Sequence, residues 1–203
     1  MSAAVDAFIA GPAVSLWLER ASVVLGIAYS LLAVRRSRWC WVCGGLSSAI
    51  IVYLSALHRL PMQAGLQAYY VAVSIYGFRR WLQHAKDAGS QVTTWPLRAH
   101  AASWAVILIL SLLSARWLAA ETEAAWPFLD SVTTWASLLA TWLVVQMKLE
   151  NWLYWIAIDV VLTYLFGAQR LYLLALMFAC YLCISVVGFL AWFKTYRLQA
   201  ARV

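Results

Sequence analysis

Long apolar runs separated by short polar groups divide the chain into seven segments. The runs lie near positions 13 to 34, 39 to 57, 62 to 82, 99 to 119, 126 to 147, 151 to 168 and 171 to 193. Each is close to the roughly 20 residues that an α-helix needs to cross the hydrocarbon core of a bilayer. A lone span satisfies its own backbone hydrogen bonds only as a helix. The pattern predicts an all-α integral membrane protein of seven transmembrane helices, forming a single membrane domain over residues 1–203.

The composition excludes a water-soluble fold. Hydrophobic residues make up 65% of the 203 residues and charged residues only 11%, with a mean hydropathy of +0.78. A soluble domain of this size needs far more polar residues to cover its surface. The net charge of +7 comes from residues scattered at the ends of the apolar runs rather than along one helix face. Membrane lipid, and not nucleic acid, is therefore the predicted surrounding partner.

The basic residues predict the orientation of the chain. With the N-terminus outside, eleven of the fifteen Lys and Arg residues lie on the inner side of the membrane. Four basic residues lie on the outer side, together with several acidic ones. An excess of Lys and Arg in cytoplasmic loops is the rule for membrane proteins. The sequence therefore predicts an outer N-terminus and a cytoplasmic C-terminus.

An internal repeat predicts how the seven helices are organised. A shift of 111 residues aligns positions 17–81 with 128–192 without a gap, and 15 of the 65 aligned pairs are identical. The matched pairs include Trp41 with Trp152, Tyr70 with Tyr181, Gly77 with Gly188 and Trp81 with Trp192. We expect a three-helix repeat at 13–82, a linker helix at 99–119 and a second three-helix repeat at 126–193. One intervening helix makes the repeats parallel, as in the SWEET transporters, with a substrate site expected between them near the membrane midplane.

Candidate binding residues form a stripe on the sixth segment. Asn151, Trp155 and Asp159 follow one another at intervals of four residues, and Trp152 lies on the same face. A carboxyl group in the middle of a span costs on the order of 3 kcal/mol against lipid, so Asp159 must face protein or water. Such a residue indicates a functional site. The alternative is a structural hydrogen bond to a neighbouring helix, with Ser48, the repeat equivalent of Asp159, as its partner.

Further polar and aromatic residues complete a candidate lining. Two of these residues lie on the third segment and two on the fifth. Two more are aromatic residues matched by the repeat, and two are acids near the outer ends of their segments. In that order they are Gln67 and Tyr70, Thr141 and Gln146, Trp41 and Tyr181, and Glu19 and Asp130. For the two acids, helix capping and attraction of solute are equally good interpretations. Other tryptophans are expected in belts at the membrane interfaces, namely Trp17, Trp39, Trp81, Trp117, Trp126 and Trp192. A cavity of aromatic rings and carboxyl groups favours a flat organic cation that bears hydroxyl groups.

Other classes of membrane protein fit the sequence less well. The Cys40/Cys43 and Cys180/Cys183 pairs have metal-binding spacing but lie inside apolar runs, so no metal or cofactor is predicted. The sequence has no phosphate-binding GxxxxGK[ST] loop and no hydrolase signature, which argues against an ATP-driven pump or an enzyme. A seven-helix receptor is a distant alternative. A proton-coupled carrier stays open through Asp159.

Four stretches resemble the PnuC family of nicotinamide riboside transporters: WLERASVVLGIAYSLLAVRRSRWCW, LQAYYVAVSIYGFRRW, ENWLYWIAID and RLYLLALMFACYLCISVVGF. The resemblance implies facilitated diffusion of nicotinamide riboside across the bacterial inner membrane, followed by trapping by a cytoplasmic kinase. It favours Asn151, Trp152, Trp155, Gln67 and Tyr70 as binding positions. Related branches are similar but take thiamine or other nucleoside-like vitamins, so the exact solute stays open. The sequence does not determine the oligomeric state, and it leaves a homo-oligomer open.

Overall fold

Seven α-helices make up almost all of the described chain. The computed structural model describes residues 12–57, 61–86, 91–121 and 126–201. In chain order the helices are α1 (Pro12–Val34), α2 (Trp39–Leu57), α3 (Pro61–Lys86), α4 (Leu97–Glu121), α5 (Pro127–Val145), α6 (Asn151–Ala168) and α7 (Tyr172–Ala200). Most boundaries fall within a few residues of the predicted segments, although α3 and α7 extend further at their C-terminal ends. The predicted all-α fold of seven helices is confirmed.

Six of the seven helices among the described residues are long and apolar enough to cross a membrane, judged by length and composition. The exception is α3, which is the second longest helix but carries Gln63, Gln67 and Gln83 together with Arg79 and Arg80. These side chains lower its mean hydropathy below that of a lipid-facing span. Membrane crossing by α3 therefore stays a prediction.

The helices fall into two compact units, residues 1–90 and 91–203. In the first unit α2 packs against both α1 and α3. In the second unit α6 packs against α5 and α7, and α4 packs against α5. The predicted linker helix thus belongs to the second unit, where it adds a fourth helix to the set.

The turn after the first helix of each helix triplet has the same form. Arg36, two residues after the end of α1, has a φ of 55°, and Met147, two residues after the end of α5, has a φ of 53°. The next residue in each case donates its backbone N–H to a carbonyl five residues earlier, Ser37 to Leu32 at 3.0 Å and Lys148 to Leu143 at 2.9 Å. This is the Schellman arrangement that closes a helix C-terminus. The two turns are 111 residues apart, which is the shift of the sequence repeat.

A tryptophan lies across a glycine in both units. A Cβ atom added to Gly77 would come within 2.5 Å of the Trp41 ring, and one added to Gly188 would come within 2.6 Å of the Trp152 ring. Trp41 meets Trp81 edge to face at 5.5 Å and 85°. Only a glycine lets a helix backbone approach an indole this closely.

The second unit repeats the edge-to-face pair, because Trp152 meets Trp192 at 5.6 Å and 84°. The predicted interfacial belt is therefore wrong for Trp81 and Trp192, which are 2% and 0% exposed. Their rings pack against other side chains inside each unit rather than lying exposed at the membrane interface. The other four predicted belt tryptophans, Trp17, Trp39, Trp117 and Trp126, are all exposed.

The Gly188→Ala substitution tests the glycine and tryptophan contact. The added methyl group would displace the Trp152 ring, and overpacking of this kind costs about 1–3 kcal/mol. This exceeds the gain of up to about 1 kcal/mol when alanine replaces a helical glycine. We expect a lower unfolding temperature of the detergent-solubilised protein in a thermal melt.

The matched control is Gly167→Ala on α6, where an added Cβ meets nothing within 4 Å. It should leave the unfolding temperature unchanged or raise it. Equal stability of the Gly188→Ala variant and the wild type would show that the close contact does not constrain the packing of α6 against α7.

Candidate functional site

Asn151 begins α6 and is fully buried. Its side-chain amide donates from Nδ2 to the backbone carbonyl of Lys148 at 2.6 Å, which ties the side chain to the turn before the helix. Its other polar atom, Oδ1, is buried and has no hydrogen-bond partner among the described residues. A buried acceptor without a partner costs about 1–3 kcal/mol, so it marks a position where a further group can bind.

Trp152 follows directly and points towards α7. Its ring lies against Gly188 and meets Trp192, as described above. The indole Nε1 is buried and, within the described part of the chain, has no acceptor. An unused donor and the unused acceptor of Asn151 therefore occur on consecutive residues.

Asp159 lies two turns further along α6 and is 3% exposed. The Ser185 hydroxyl of α7 donates to its Oδ2 at 3.0 Å, and Ser185 is also buried. The expected structural hydrogen bond thus exists, but its partner is Ser185 on the adjacent helix of the same unit rather than Ser48. Tyr181, one turn before Ser185, is half-buried and lies within electrostatic reach of the Asp159 carboxyl.

The remaining residues of the stripe and of α5 have different surroundings. Trp155 is half-buried and packs against a core of α4, α5 and α6 side chains that includes Ala140 and Ile158. Thr141 is buried, and its hydroxyl donates to the Ser137 carbonyl of its own helix at 2.9 Å. Gln146 is the half-buried C-cap residue of α5. Trp155 therefore lies on the α5 side of the stripe, whereas Trp152 and Asp159 lie on the α7 side.

The first unit has the same aromatic contact but different polar groups. The Trp41 indole is buried against Gly77, and its Nε1 also has no acceptor among the residues described. The repeat positions of Asn151 and Asp159 are occupied by Cys40 and Ser48, which are both buried. The buried amide and carboxyl group are thus confined to the second unit. On α3, Gln67 and Tyr70 are half-buried, and Tyr70 contacts the Tyr69 ring at 5.6 Å.

The predicted acidic residues lie two turns into α1 and in the first turn of α5. Glu19 on α1 and Asp130 in the first turn of α5 are both exposed. Their backbone carbonyls accept equivalent hydrogen bonds, from the Ser22 hydroxyl at 2.7 Å and the Thr133 hydroxyl at 3.0 Å. The two positions therefore have the same local structure in the two units, with the carboxyl groups accessible.

One cluster was missed by the sequence analysis. The Nδ1 of His100, near the start of α4, lies 3.1 Å from the Tyr154 hydroxyl, and its Nε2 lies 3.7 Å from Glu150 Oε1. These residues line a cavity of about 430 Å³ at the starts of α4 and α6. The only hint of this cluster in the sequence is the acidic residue directly before Asn151.

Known proteins are similar to the chain over most of its length. A family model described as nicotinamide mononucleotide transporter matches residues 16–194. The nicotinamide riboside transporter PnuC of Neisseria mucosa is 28% identical over 92% of this chain and 75% of its own length. The riboflavin/roseoflavin transporter RibM of Streptomyces davaonensis is 25% identical over 72% of this chain and 70% of its own length.

A solved structure has the same fold. The crystal structure of the vitamin B3 transporter PnuC superimposes with a TM-score of 0.71 at 25% identity, covering 89% of this chain and 82% of that one. The family model covers well over half of the chain, and the membrane-spanning composition of the helices agrees with it. The resemblance to the PnuC family found in the sequence is thus confirmed. The chain is a membrane transporter rather than an enzyme, and it belongs to the nicotinamide mononucleotide transporter family.

Proposed function

We propose that this protein carries nicotinamide riboside across the bacterial cytoplasmic membrane by facilitated diffusion. The observation that carries the proposal is that two consecutive residues of α6 each have a buried polar atom with no hydrogen-bond partner among the described residues, Asn151 Oδ1 and Trp152 Nε1. One accepts and the other donates a hydrogen bond. Complementary groups of a solute, such as a ribose hydroxyl for the acceptor and a carboxamide oxygen for the donor, would recover the free energy lost when each atom is buried alone.

The charge of the solute also fits this part of α6. Asp159 provides a carboxyl group two turns along from Asn151, and Trp155, between them in the sequence, provides an indole on the α5 side of the helix. A pyridinium ring gains about 0.5–2 kcal/mol from each aromatic face that it contacts. Tyr181, Thr141 and Gln146 supply further polar and aromatic groups of the second unit.

The first unit has fewer candidate binding residues. Gln67 and Tyr70 share a face of α3, and Trp41 occupies the position of Trp152. A role for α3 in solute binding accounts for its low mean hydropathy, since a helix that faces a solute pathway can retain polar groups. Glu19 and Asp130, which are both exposed, attract the cation at the outer surface.

The proposed arrangement consists of two parallel three-helix repeats with α4 as the linker. The matching turns at Arg36 and Met147 and the matching contacts at Gly77 and Gly188 support it. A single helix between the repeats makes them parallel. The positive-inside rule then places the N-terminus outside and the C-terminus in the cytoplasm, with eleven of the fifteen Lys and Arg residues on the inner side.

Net uptake by a facilitator needs a sink for the solute. Phosphorylation of nicotinamide riboside by a cytoplasmic kinase would lower its free concentration inside and maintain the inward gradient. This accounts for uptake in a chain whose sequence has no ATP-binding loop.

A related vitamin is the second candidate solute. The Streptomyces relative is named a riboflavin/roseoflavin transporter, and thiamine also combines a cationic ring with a hydroxyl group. The Asp159 carboxyl group favours a cation over a neutral flavin, because a buried carboxyl group gains most from a positive partner. We therefore rank nicotinamide riboside first, thiamine second and flavins third.

The Asn151→Ala and Trp155→Ala substitutions test the binding site. Purified protein in liposomes would be assayed for uptake of nicotinamide riboside, thiamine and riboflavin. We expect nicotinamide riboside to enter fastest, and each substitution to lower its initial rate at limiting concentration by about tenfold or more, which corresponds to about 1.4 kcal/mol.

The control for both variants is Val160→Ala, which truncates an exposed side chain of the same helix. Its uptake rate should stay within about twofold of wild type. Uptake of none of the three solutes by the wild type would refute the transport proposal, and full activity of both site variants would place the solute elsewhere.

The Asp159→Asn substitution separates facilitated diffusion from proton coupling. Asparagine keeps an acceptor for the Ser185 hydroxyl but removes the titratable carboxyl group. We expect uptake of nicotinamide riboside to fall by about tenfold, since a cation loses its counter-charge. Uptake by the wild type should stop at equal concentrations on both sides, with or without a pH gradient.

Ser185→Ala is the matched variant, because it removes the hydrogen bond and leaves the carboxyl group. Its uptake should exceed that of Asp159→Asn. Accumulation above equilibrium in an acid-outside gradient, abolished by Asp159→Asn, would instead identify a proton-coupled carrier.

A further inference from the structure

A second candidate binding site lies in the second unit, on a different side of α6 from the buried stripe. The cavity of about 430 Å³ lies where α4 and α6 begin. Tyr154 and Ala157 line it from α6, and Trp104 lines it from α4. Trp152 and Asp159 contact α7 instead, so these two residues and the cavity use separate faces of one helix.

Four rings in series form one wall of this cavity. Trp95 lies 5.6 Å from His100, His100 lies 5.8 Å from Tyr154, and Tyr154 stacks on Trp104 at 5.6 Å with an angle of 12° between the rings. The Nδ1 of His100 and the Tyr154 hydroxyl, at 3.1 Å, join the two middle rings. Aromatic faces of this kind attract cations through their negative quadrupole.

Glu150 places a carboxyl group at one end of the ring wall. Its Oε1 accepts a hydrogen bond from the Trp95 backbone N–H at 2.8 Å. Its Oε2 is buried and has no hydrogen-bond partner among the residues that the structure describes. The nearest charged partner is His100 Nε2 at 3.7 Å, an ion pair only when the histidine is protonated. Glu150 thus lines the cavity with a carboxylate of which one oxygen has no hydrogen-bond partner in the described part of the chain.

Hydrogen bonds hold the cavity in shape. Thr93 exchanges two backbone hydrogen bonds with the turn before α6, from Thr93 N–H to Met147 at 3.1 Å and from Leu149 N–H to Thr93 at 2.9 Å. The Lys148 ammonium group donates to the Thr93 hydroxyl at 2.9 Å. This lysine is therefore engaged outside the cavity, and the segment that carries Trp95 is fixed against the start of α6. A preformed site binds without the cost of ordering its own wall.

We propose that this cavity binds a flat organic cation of the pyridinium class, with its ring over the aromatic wall and its positive charge towards Glu150. The volume lies within the range of small-molecule sites, and the combination of ring faces and one carboxyl group is complementary to such a cation. The choice of a pyridinium rests on the proposed function. In the predicted topology the cavity lies at the cytoplasmic end, where it would hold solute after release from the buried stripe.

The cavity offers little to the sugar of a nucleoside. Its other lining residues, Leu97, Leu153 and Ala157, are apolar. Recognition should therefore depend on the charged ring alone. This predicts that 1-methylnicotinamide, a pyridinium without ribose, binds here, and that neutral nicotinamide binds at least about tenfold more weakly.

Calorimetric titration of 1-methylnicotinamide into the full-length protein tests the inference. The Asn151→Ala background weakens the proposed main site and isolates the cavity. In that background, Glu150→Gln keeps an acceptor for the Trp95 N–H but removes the charge, and Trp104→Leu removes a ring. We expect each to weaken binding by about tenfold. Trp142→Leu is the matched control, since Trp142 is as exposed as Trp104, at 37%, and does not line the cavity.

The outcomes separate this inference from the proposed function. Binding of 1-methylnicotinamide that is unaffected by Glu150→Gln and Trp104→Leu would overturn the second site, even if nicotinamide riboside is transported. Binding that is sensitive to both variants would support the site, even if liposomes take up no nicotinamide riboside. Competition by tetramethylammonium as strong as that by 1-methylnicotinamide would overturn the preference for a planar ring and indicate a site for ammonium head groups of lipids.

Discussion

In each unit, the packing of one tryptophan across one glycine fixes the rotation of the helix that carries the tryptophan, which is α2 in the first unit and α6 in the second. Without a side chain at Gly188, the Trp152 indole lies directly on the α7 backbone and meets Trp192 edge to face. Trp152 follows Asn151 and precedes Trp155 on α6, so the position of its ring determines where both neighbours point. Asp159, two turns along, is brought to Ser185 by the same rotation. The candidate site therefore depends on a contact that is itself apolar.

The two units share this scaffold but differ in chemistry. Trp41 and Gly77 form the equivalent contact, and the turns before α2 and α6 close in the same way at Arg36 and Met147. Yet the amide and the carboxyl group of the second unit are replaced by a thiol and a hydroxyl in the first. The residues of the close contact, Trp41/Trp152 and Gly77/Gly188, are identical in the two units because such a contact tolerates few alternatives, whereas Cys40/Asn151 and Ser48/Asp159 differ. A duplicated fold can thus provide an asymmetric site for an asymmetric solute.

The start of α6 contributes to both proposed sites. Asn151 faces the buried stripe, and the preceding residue, Glu150, faces the aromatic cavity. The backbone bridge between Thr93 and the turn before α6 holds this helix start in place. Any motion of α6 during transport would be transmitted to the segment that carries Trp95. In the proposed order, a solute first binds at the buried stripe through hydrogen-bonding groups. It then binds at the aromatic cavity through ring faces and charge.

The sequence by itself determined the seven helices, their approximate ends, the 111-residue repeat and the polar stripe that includes Asp159. These follow from local patterns, since about 20 apolar residues specify a span and a carboxyl group within a span must avoid lipid. Only the tertiary structure decided that Ser185 is the partner of Asp159, and that His100 meets Tyr154 from 54 residues away. It also decided that Trp81 and Trp192 are buried. The physical reason is that lipid is as apolar as a helix interface, so hydrophobic periodicity does not tell which face of a span packs against another helix.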